Sequence, residues 1–462
     1  MPTMEQNYKP VSLTSIIVKL AEALIREEII NHMNRNKLFS NRQFGFIGRR
    51  STTLQMLIIL DKWTEIIDMG GVVDVAYFDF QKAFDKVPHN RLLKTIQQYG
   101  ITGNLHTWIT HFLLGRRQRV KVQNTFSNWQ SVTSGIPQGS VLGPLLFVIF
   151  INNLPSKIIK SDIFLFADDM KIFKGIFDSN DCSELQDDID NAYKWTKPSQ
   201  LKFHPEKCKY MRIGYRDKPS VEYTMGDKHI KLKKSEEEKD LGITIDSRLT
   251  FEQHIISKVN KANSLLGLIS RTFEYKNPKT IITLYKSIVR PHLEFANQIW
   301  APYLVKHVTL IENVQRRATK IIPGLQTLDY KSRLKALNLP TLAYRRLRGD
   351  MVEMYKITSN IYDEEITKDL LVYNRTATRG HVNKLFKSRP RLELRKNSFF
   401  FRCVDPWNKL PPNIVQAPNL NTFKNHLDKF WKNMELKYDF RGSKAHAQAF
   451  ENVITEELAS EA

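Results

Sequence analysis

Ile163-Phe164-Leu165-Phe166-Ala167-Asp168-Asp169-Met170-Lys171-Ile172-Phe173 is an apolar run interrupted by two adjacent carboxylates. Apolar and β-branched residues on both sides of an Asp-Asp pair predict two strands joined by a two-residue turn at Asp168-Asp169. Asp tolerates the left-handed backbone that tight hairpins demand. Such a hairpin holds two carboxylates at one edge of a largely buried sheet.

Upstream, Val72-Val73-Asp74-Val75-Ala76-Tyr77-Phe78-Asp79-Phe80 is rich in β-branched and aromatic residues and predicts a second strand, closing at a turn that contains Pro88. Between the two lie helical patterns at 91–99 and 107–114 and alternating strand-like segments at 119–123 and 129–133. The loop Ser134-Gly135-Ile136-Pro137-Gln138-Gly139-Ser140 then opens into an apolar helix at 145–154. A helix near 184–195 and a strand at 209–214 complete an alternating α/β region. Residues 1–72 carry a basic, mostly helical pattern. A lysine- and glutamate-rich hairpin is expected at 228–239 and a strand at 240–246, followed by nearly all-helical chain from 251 to about 358. Residues 370–440 are strongly basic and aromatic, and the tail ends acidic.

Charge narrows the partners. The 70 Lys and Arg against 48 Asp and Glu leave a net charge of +22 in 462 residues, an excess that attracts polyanions through counterion release. The longest apolar run, 141–151, is too short for a membrane span of ~20 residues and contains Gly143 and Pro144. No signal peptide or lipidation motif is present, so no membrane partner is expected. The three cysteines, Cys182, Cys208 and Cys403, offer neither a disulfide framework nor zinc-ligand spacing. His204 and Cys208 form an isolated pair, not a metal site. An intracellular protein, not a secreted one, is expected.

Asp79 at a strand end and Asp168 and Asp169 in a hairpin turn converge if their strands are neighbours. Hard divalent cations take such oxygen ligands, Mg²⁺ usually through one or two carboxylates plus substrate phosphates. Two ions ~3.5–4 Å apart activate an attacking hydroxyl and stabilise a departing pyrophosphate. Taken alone, an Asp-Asp pair is usually a solvated turn. The conjunction of strand-Asp, the Gly-Ile-Pro-Gln-Gly-Ser loop and hairpin Asp-Asp, in that order, is what points to chemistry.

Those segments resemble the motifs of non-LTR (LINE-type) retrotransposon reverse transcriptases. Tyr77–His89 resembles the first palm motif, Ser134–Pro144 the second and Phe166–Asp169 the third. Asn7–Leu13 and Gln43-Phe44-Gly45-Phe46 with Arg49-Arg50-Ser51 resemble the fingers motifs. Residues 201–208 and 240–243 stand where the fourth palm motif and the primer-gripping hairpin belong, and 378–411 resembles the C-terminal region. The resemblance implies an α+β right-hand polymerase: fingers at 1–72, a palm with an antiparallel sheet at 73–247, a helical thumb at 248–358, a basic C-terminal region at 359–440 and a tail at 441–462. It implies an RNA template, a DNA primer and dNTPs as partners, and two Mg²⁺ ions as cofactor. Asp79, Asp168, Asp169 and the Phe80 carbonyl would hold the metal. Phe84 would exclude a 2′-hydroxyl, or else pack in the core. Gln138 and Gly139 would line the nucleotide pocket. Lys207 would protonate the leaving pyrophosphate, or else be a solvated lysine, and Lys9 and Arg50 would meet phosphates or be solvated in the same way. Asp85 reads as structural. The family's usual basic residue after Gly-Phe is replaced by Ile47, with Arg49 and Arg50 nearby. Relatives carry more fingers sequence and often an endonuclease upstream, so an N-terminally truncated copy is expected. The rival reading is a remnant that binds nucleic acid without catalysis; an intron-type maturase is a third, disfavoured by the C-terminal resemblance.

Overall fold

In the computed structural model, residues 12–374 and 381–444 are described. The chain forms two compact units, 1–55 with 70–236 and 56–69 with 237–462.

The first unit is built on a five-stranded sheet. Its order is Lys233–Lys234, Lys209–Ile213, Val72–Phe78, Asp169–Ile176 and Asp162–Phe166. All neighbours are antiparallel except the short edge strand Lys233–Lys234. Val72–Phe78 is central and almost wholly buried, which is why it reads as a continuous apolar run. Its single charge, Asp74, is fully buried. Asp74 lies directly across from Arg212 in the strand register. It accepts from Arg212 Nε at 2.7 Å, Arg212 Nη2 at 2.6 Å and the Tyr223 hydroxyl at 2.7 Å. The bond to Asp74 raises the Arg212 pKa, and burial followed by the Asp74 charge raises that of Tyr223.

Two helices fix the sheet's loops. The helix Ser179–Ser199 starts with a capping box between Asp178 and Asp181. Its buried Asp188 accepts from the backbone N–H groups of Ile159, Lys160 and Ser161 at 2.7–2.9 Å, anchoring the loop that feeds Asp162–Phe166. The helix Gly143–Ile151 is buried on nearly every side and has no side-chain cap of its own. Glu22, from the helix Ile16–Arg35, supplies one: its Oε2 accepts from Val141 N at 2.6 Å and Leu142 N at 3.0 Å.

Within the second unit, the expected strand over 240–246 is instead a hairpin, Glu237–Asp240 paired with Ile243–Asp246. Leu241 and Gly242 both take positive φ, the backbone of a tight hairpin turn. Helices dominate thereafter, from Glu252–Thr272 onward. The basic and aromatic region 370–440 divides its rings between core and surface. Phe399, Phe400 and Trp407 are buried core residues and Phe386 is exposed, while Arg375 and Arg379 lie outside the described residues. Interleaved rings and charges fit a helix with one buried face as well as they fit a binding surface. Among the described residues, no helix is long and apolar enough to cross a membrane.

Candidate active site at the edge of the five-stranded sheet

The central strand and the Asp-Asp hairpin are neighbours. Phe78 pairs with Met170 across the sheet, so Asp79, one residue on, comes level with Asp169, one residue back. Asp169 itself pairs with Phe166. The turn therefore falls at Ala167-Asp168, one residue earlier than the sequence predicts. Ala167 takes the left-handed conformation (φ 54°) where Asp was expected to, which costs an alanine about 1–2 kcal/mol relative to glycine. Asp168 is half-buried and Asp169 is exposed.

A residue whose role the sequence reading missed holds that turn. Gln43, fully buried, accepts at Oε1 from Gly45 N (2.8 Å) and Ala167 N (2.9 Å) and donates from Nε2 to Ala167 O (3.4 Å). The 42–44 segment also bonds along Leu165, through Leu165 N to Arg42 O and Phe44 N to Leu165 O, both 2.8 Å. A Cβ on Gly45 would stand 2.4 Å from Ala167 N, so only glycine permits this approach. The Gln-Phe-Gly signature was visible in sequence, but its partner lies 124 residues away.

Asp79 is set from behind. Its carbonyl accepts from His204 N at 2.7 Å, Gln81 N donates to Lys202 O at 2.8 Å, and the Phe80 and Phe203 rings pack 4.7 Å apart. Cys208 is buried beneath, and burial pushes its thiol up to about 11, consistent with a packing role. The same segment delivers Lys207, whose Nζ lies 3.2 Å from Asp79 Oδ2 with both side chains well exposed.

The second motif loop docks on the turn that follows Asp79. Gly135 N donates to Val87 O and Ile136 N to Phe84 O at 2.9 and 2.8 Å, and a Cβ on Gly135 would stand 2.5 Å from Asp85 O. Asp85 is more than structural filler: its Oδ1 accepts from Gln138 Nε2 at 2.7 Å. Gly135 O receives two donors, His89 Nε2 and Arg116 Nη2, each at 2.8 Å. Burial lowers the His89 pKa, opposed by the bond to Gly135 O and helped by the Arg116 charge. The Phe84 ring stacks on Phe147 with centroids 4.4 Å apart and stays half-buried. Gly139 is exposed with φ 103°. Arg50 Nη1 is bonded to the carbonyls of Ser40 and Gln43, both at 2.6 Å. Lys9 lies outside the described residues.

Among the described residues, no group of three or more His, Cys, Asp and Glu is drawn together as a metal-holding cluster. The donor chemistry nonetheless fits a hard cation: carboxylate oxygens share one sheet edge, and an ammonium, that of Lys207, already lies against one of them.

The family described as reverse transcriptase (RNA-dependent DNA polymerase) matches residues 2–245. Among curated proteins, the chain is 27% identical over 337 residues to a probable RNA-directed DNA polymerase from transposon BS of Drosophila melanogaster, covering 69% of this chain and 36% of that protein. It is 26% identical over 355 residues to the RNA-directed DNA polymerase from mobile element jockey of the same species, covering 73% and 38%. The chain thus spans little more than a third of the length of these relatives. Among solved structures, apo telomerase from Candida tropicalis aligns with a TM-score of 0.39 at 11% identity, covering 69% of this chain and 52% of that one. With more than half of its length matched, the chain belongs to the reverse transcriptase (RNA-dependent DNA polymerase) family and has the α+β right-hand polymerase fold.

Proposed function

We propose that this protein is the polymerase of a mobile element and copies an RNA template into DNA. The primer 3′-hydroxyl attacks the α-phosphate of a dNTP, the new O3′–P bond forms, the bond to the β-phosphate breaks, and pyrophosphate leaves. The observation that carries this reading is the sheet register, which sets Asp79 level with Asp169 and beside Asp168. Two Mg²⁺ ions held by Asp79, Asp168 and Asp169, with the Phe80 carbonyl, would activate the hydroxyl and neutralise charge on the leaving group.

The chain's own residues do the rest. Lys207 gives its proton to the departing pyrophosphate, a role its 3.2 Å ion pair with Asp79 supports. Gln138, oriented by Asp85, and Gly139 form the pocket wall. Phe84, backed by Phe147, excludes a 2′-hydroxyl. Arg50 acts by bracing the Ser40–Gln43 loop. Positioning and charge neutralisation supply most of the rate. The test is extension of a DNA primer on an RNA template with Mg²⁺. Asp168→Asn should reduce incorporation to background while leaving the melting temperature unchanged; equal extension by the variant would remove the metal-site reading.

A further inference from the structure

From Lys86 to Ser161 the chain carries no Asp or Glu and nine Lys and Arg. Within this stretch a two-stranded ribbon, residues 117–131, stands wholly exposed. Arg117 pairs with Ser131 and Gln118 with Gln130; nearer the tip Lys121 pairs with Phe126 and Val122 with Thr125. Between the two sets the register shifts by one residue, the mark of a bulge, which re-aims side chains on the longer strand. The result is an alternating stack of cations and rings. Arg117 lies over Trp129 (5.9 Å to the centroid) and Arg119 over both Trp129 (4.8 Å) and Phe126 (4.1 Å). Lys121 lies over Phe126 at 5.3 Å. Phe126 and Trp129 are 47% and 50% exposed, and none of the three cations has a carboxylate partner among the described residues. The ribbon contributes nothing to the hydrophobic core, so folding does not account for its rings.

We infer that this ribbon is an arm that grips single-stranded nucleic acid, its bases stacking on Trp129 and Phe126. The inference deepens the polymerase reading and rests on it. A solvated cation over an exposed ring is held weakly, whereas a stacked base gains more and every base has a face to offer. As bases replace the cations, Arg117, Arg119 and Lys121 swing to the flanking phosphates, so ring and charge both bind. A duplex keeps its bases stacked on one another and presents only phosphates, so single strands are preferred. At its foot the ribbon borders an open groove of about 910 Å³ lined by Lys86, His89, Arg91, Arg116 and Arg117. The groove wall includes Ser134, next to the loop that carries Gln138, so it offers a bound strand a basic path toward the active site.

The test measures anisotropy of a fluorescein-labelled 15-mer of oligouridylate, and of an RNA–DNA duplex of equal length, on the full chain without dNTP. The double variant Phe126→Ala/Trp129→Ala should lose on the order of 10- to 100-fold in single-strand affinity and less than about threefold on the duplex. Arg119→Gln/Lys121→Gln should reduce the slope of log K against log salt on the single strand by about 1.4, roughly 0.7 for each cation removed. Because these residues lie outside the core, unchanged thermal melts are expected. Unchanged single-strand affinity in the double variant, or equal losses on both probes, would overturn the inference. The polymerase reading fails separately: wild type would then show no incorporation while the ribbon still bound the 15-mer, and Asp168→Asn should bind it as wild type does.

Discussion

Replacing Gln43 by methionine keeps the side-chain volume but deletes the acceptor that holds the Ala167 turn. Two buried N–H groups, those of Gly45 and Ala167, lose their partner at 2.8 and 2.9 Å. An unsatisfied buried donor costs about 1–3 kcal/mol, so a loss of about 2–6 kcal/mol is expected for the two, the long 3.4 Å bond from Nε2 adding little. The clamp also holds Ala167 at φ 54°, a conformation an alanine leaves readily when released. Ala167→Gly removes that strain. The two substitutions should therefore be non-additive, with a coupling above about 0.5 kcal/mol in a double-mutant cycle, as expected of groups in direct contact. Urea unfolding gives the stabilities, and single-nucleotide incorporation under saturating substrate gives the function. Because the turn carries Asp168, kcat should fall while KM for dNTP stays within about twofold, the pattern of an interaction made only in the transition state. If Gln43→Met melted within ~0.5 kcal/mol of wild type and turned over at the wild-type rate, the clamp would not be what sets the turn.

Two further outcomes follow from hydrogen bonds already described or close to them. Asp85→Ala frees Gln138 Nε2 from its 2.7 Å bond and should raise KM for dNTP several-fold, on the order of the ~1.5–3 kcal/mol of a charge-assisted bond at most, while Asp85→Asn, rescuing the acceptor, restores it. In the second unit His254 accepts from Thr244 N at 3.1 Å and packs by the Trp300 ring; burial, helped by the Lys258 charge, lowers its pKa to about 4. The unfolded chain takes up that proton near pH 6.5 and the folded one resists until about 4. Stability should be complete above pH 6.5 and decline as pH falls toward 4, by about 3 kcal/mol. His254→Asn should flatten that window in pH-dependent melts; an unchanged slope would assign it to other groups.

What the sequence disclosed and what it hid divide by distance along the chain. The hairpin at 162–176, the central strand and the apolar helix after Ser140 were legible because each is a local pattern of period or burial. The one-residue error in the turn arose because Asp is the better left-handed residue, yet Gln43 holds Ala167 there instead. Gln43, Glu22, Asp74 and Asp188 went unread for one shared reason. Each is a lone polar residue whose meaning lies in partners far away in sequence, 124, 119, 138 and 29 positions off in turn. No spacing rule reaches that far. At 240–246, a Leu-Gly turn lacks the usual Asn or Asp signal, so two short strands read as one.

Asp74 and Tyr223, both buried, and half-buried Arg212 act at a distance on a site they never touch. A strand whose residues are almost all apolar could slide along its neighbours with little hydrophobic cost. Here a slip of one position would shift Asp79 by ~3.3 Å and turn it to the opposite face. It would also strand the Asp74 carboxylate in the core without its Arg212 partner, a misalignment of several kcal/mol. The trio thus serves as a vernier for the sheet: by admitting a single alignment five residues upstream, it decides where Asp79 stands relative to the Ala167-Asp168 turn.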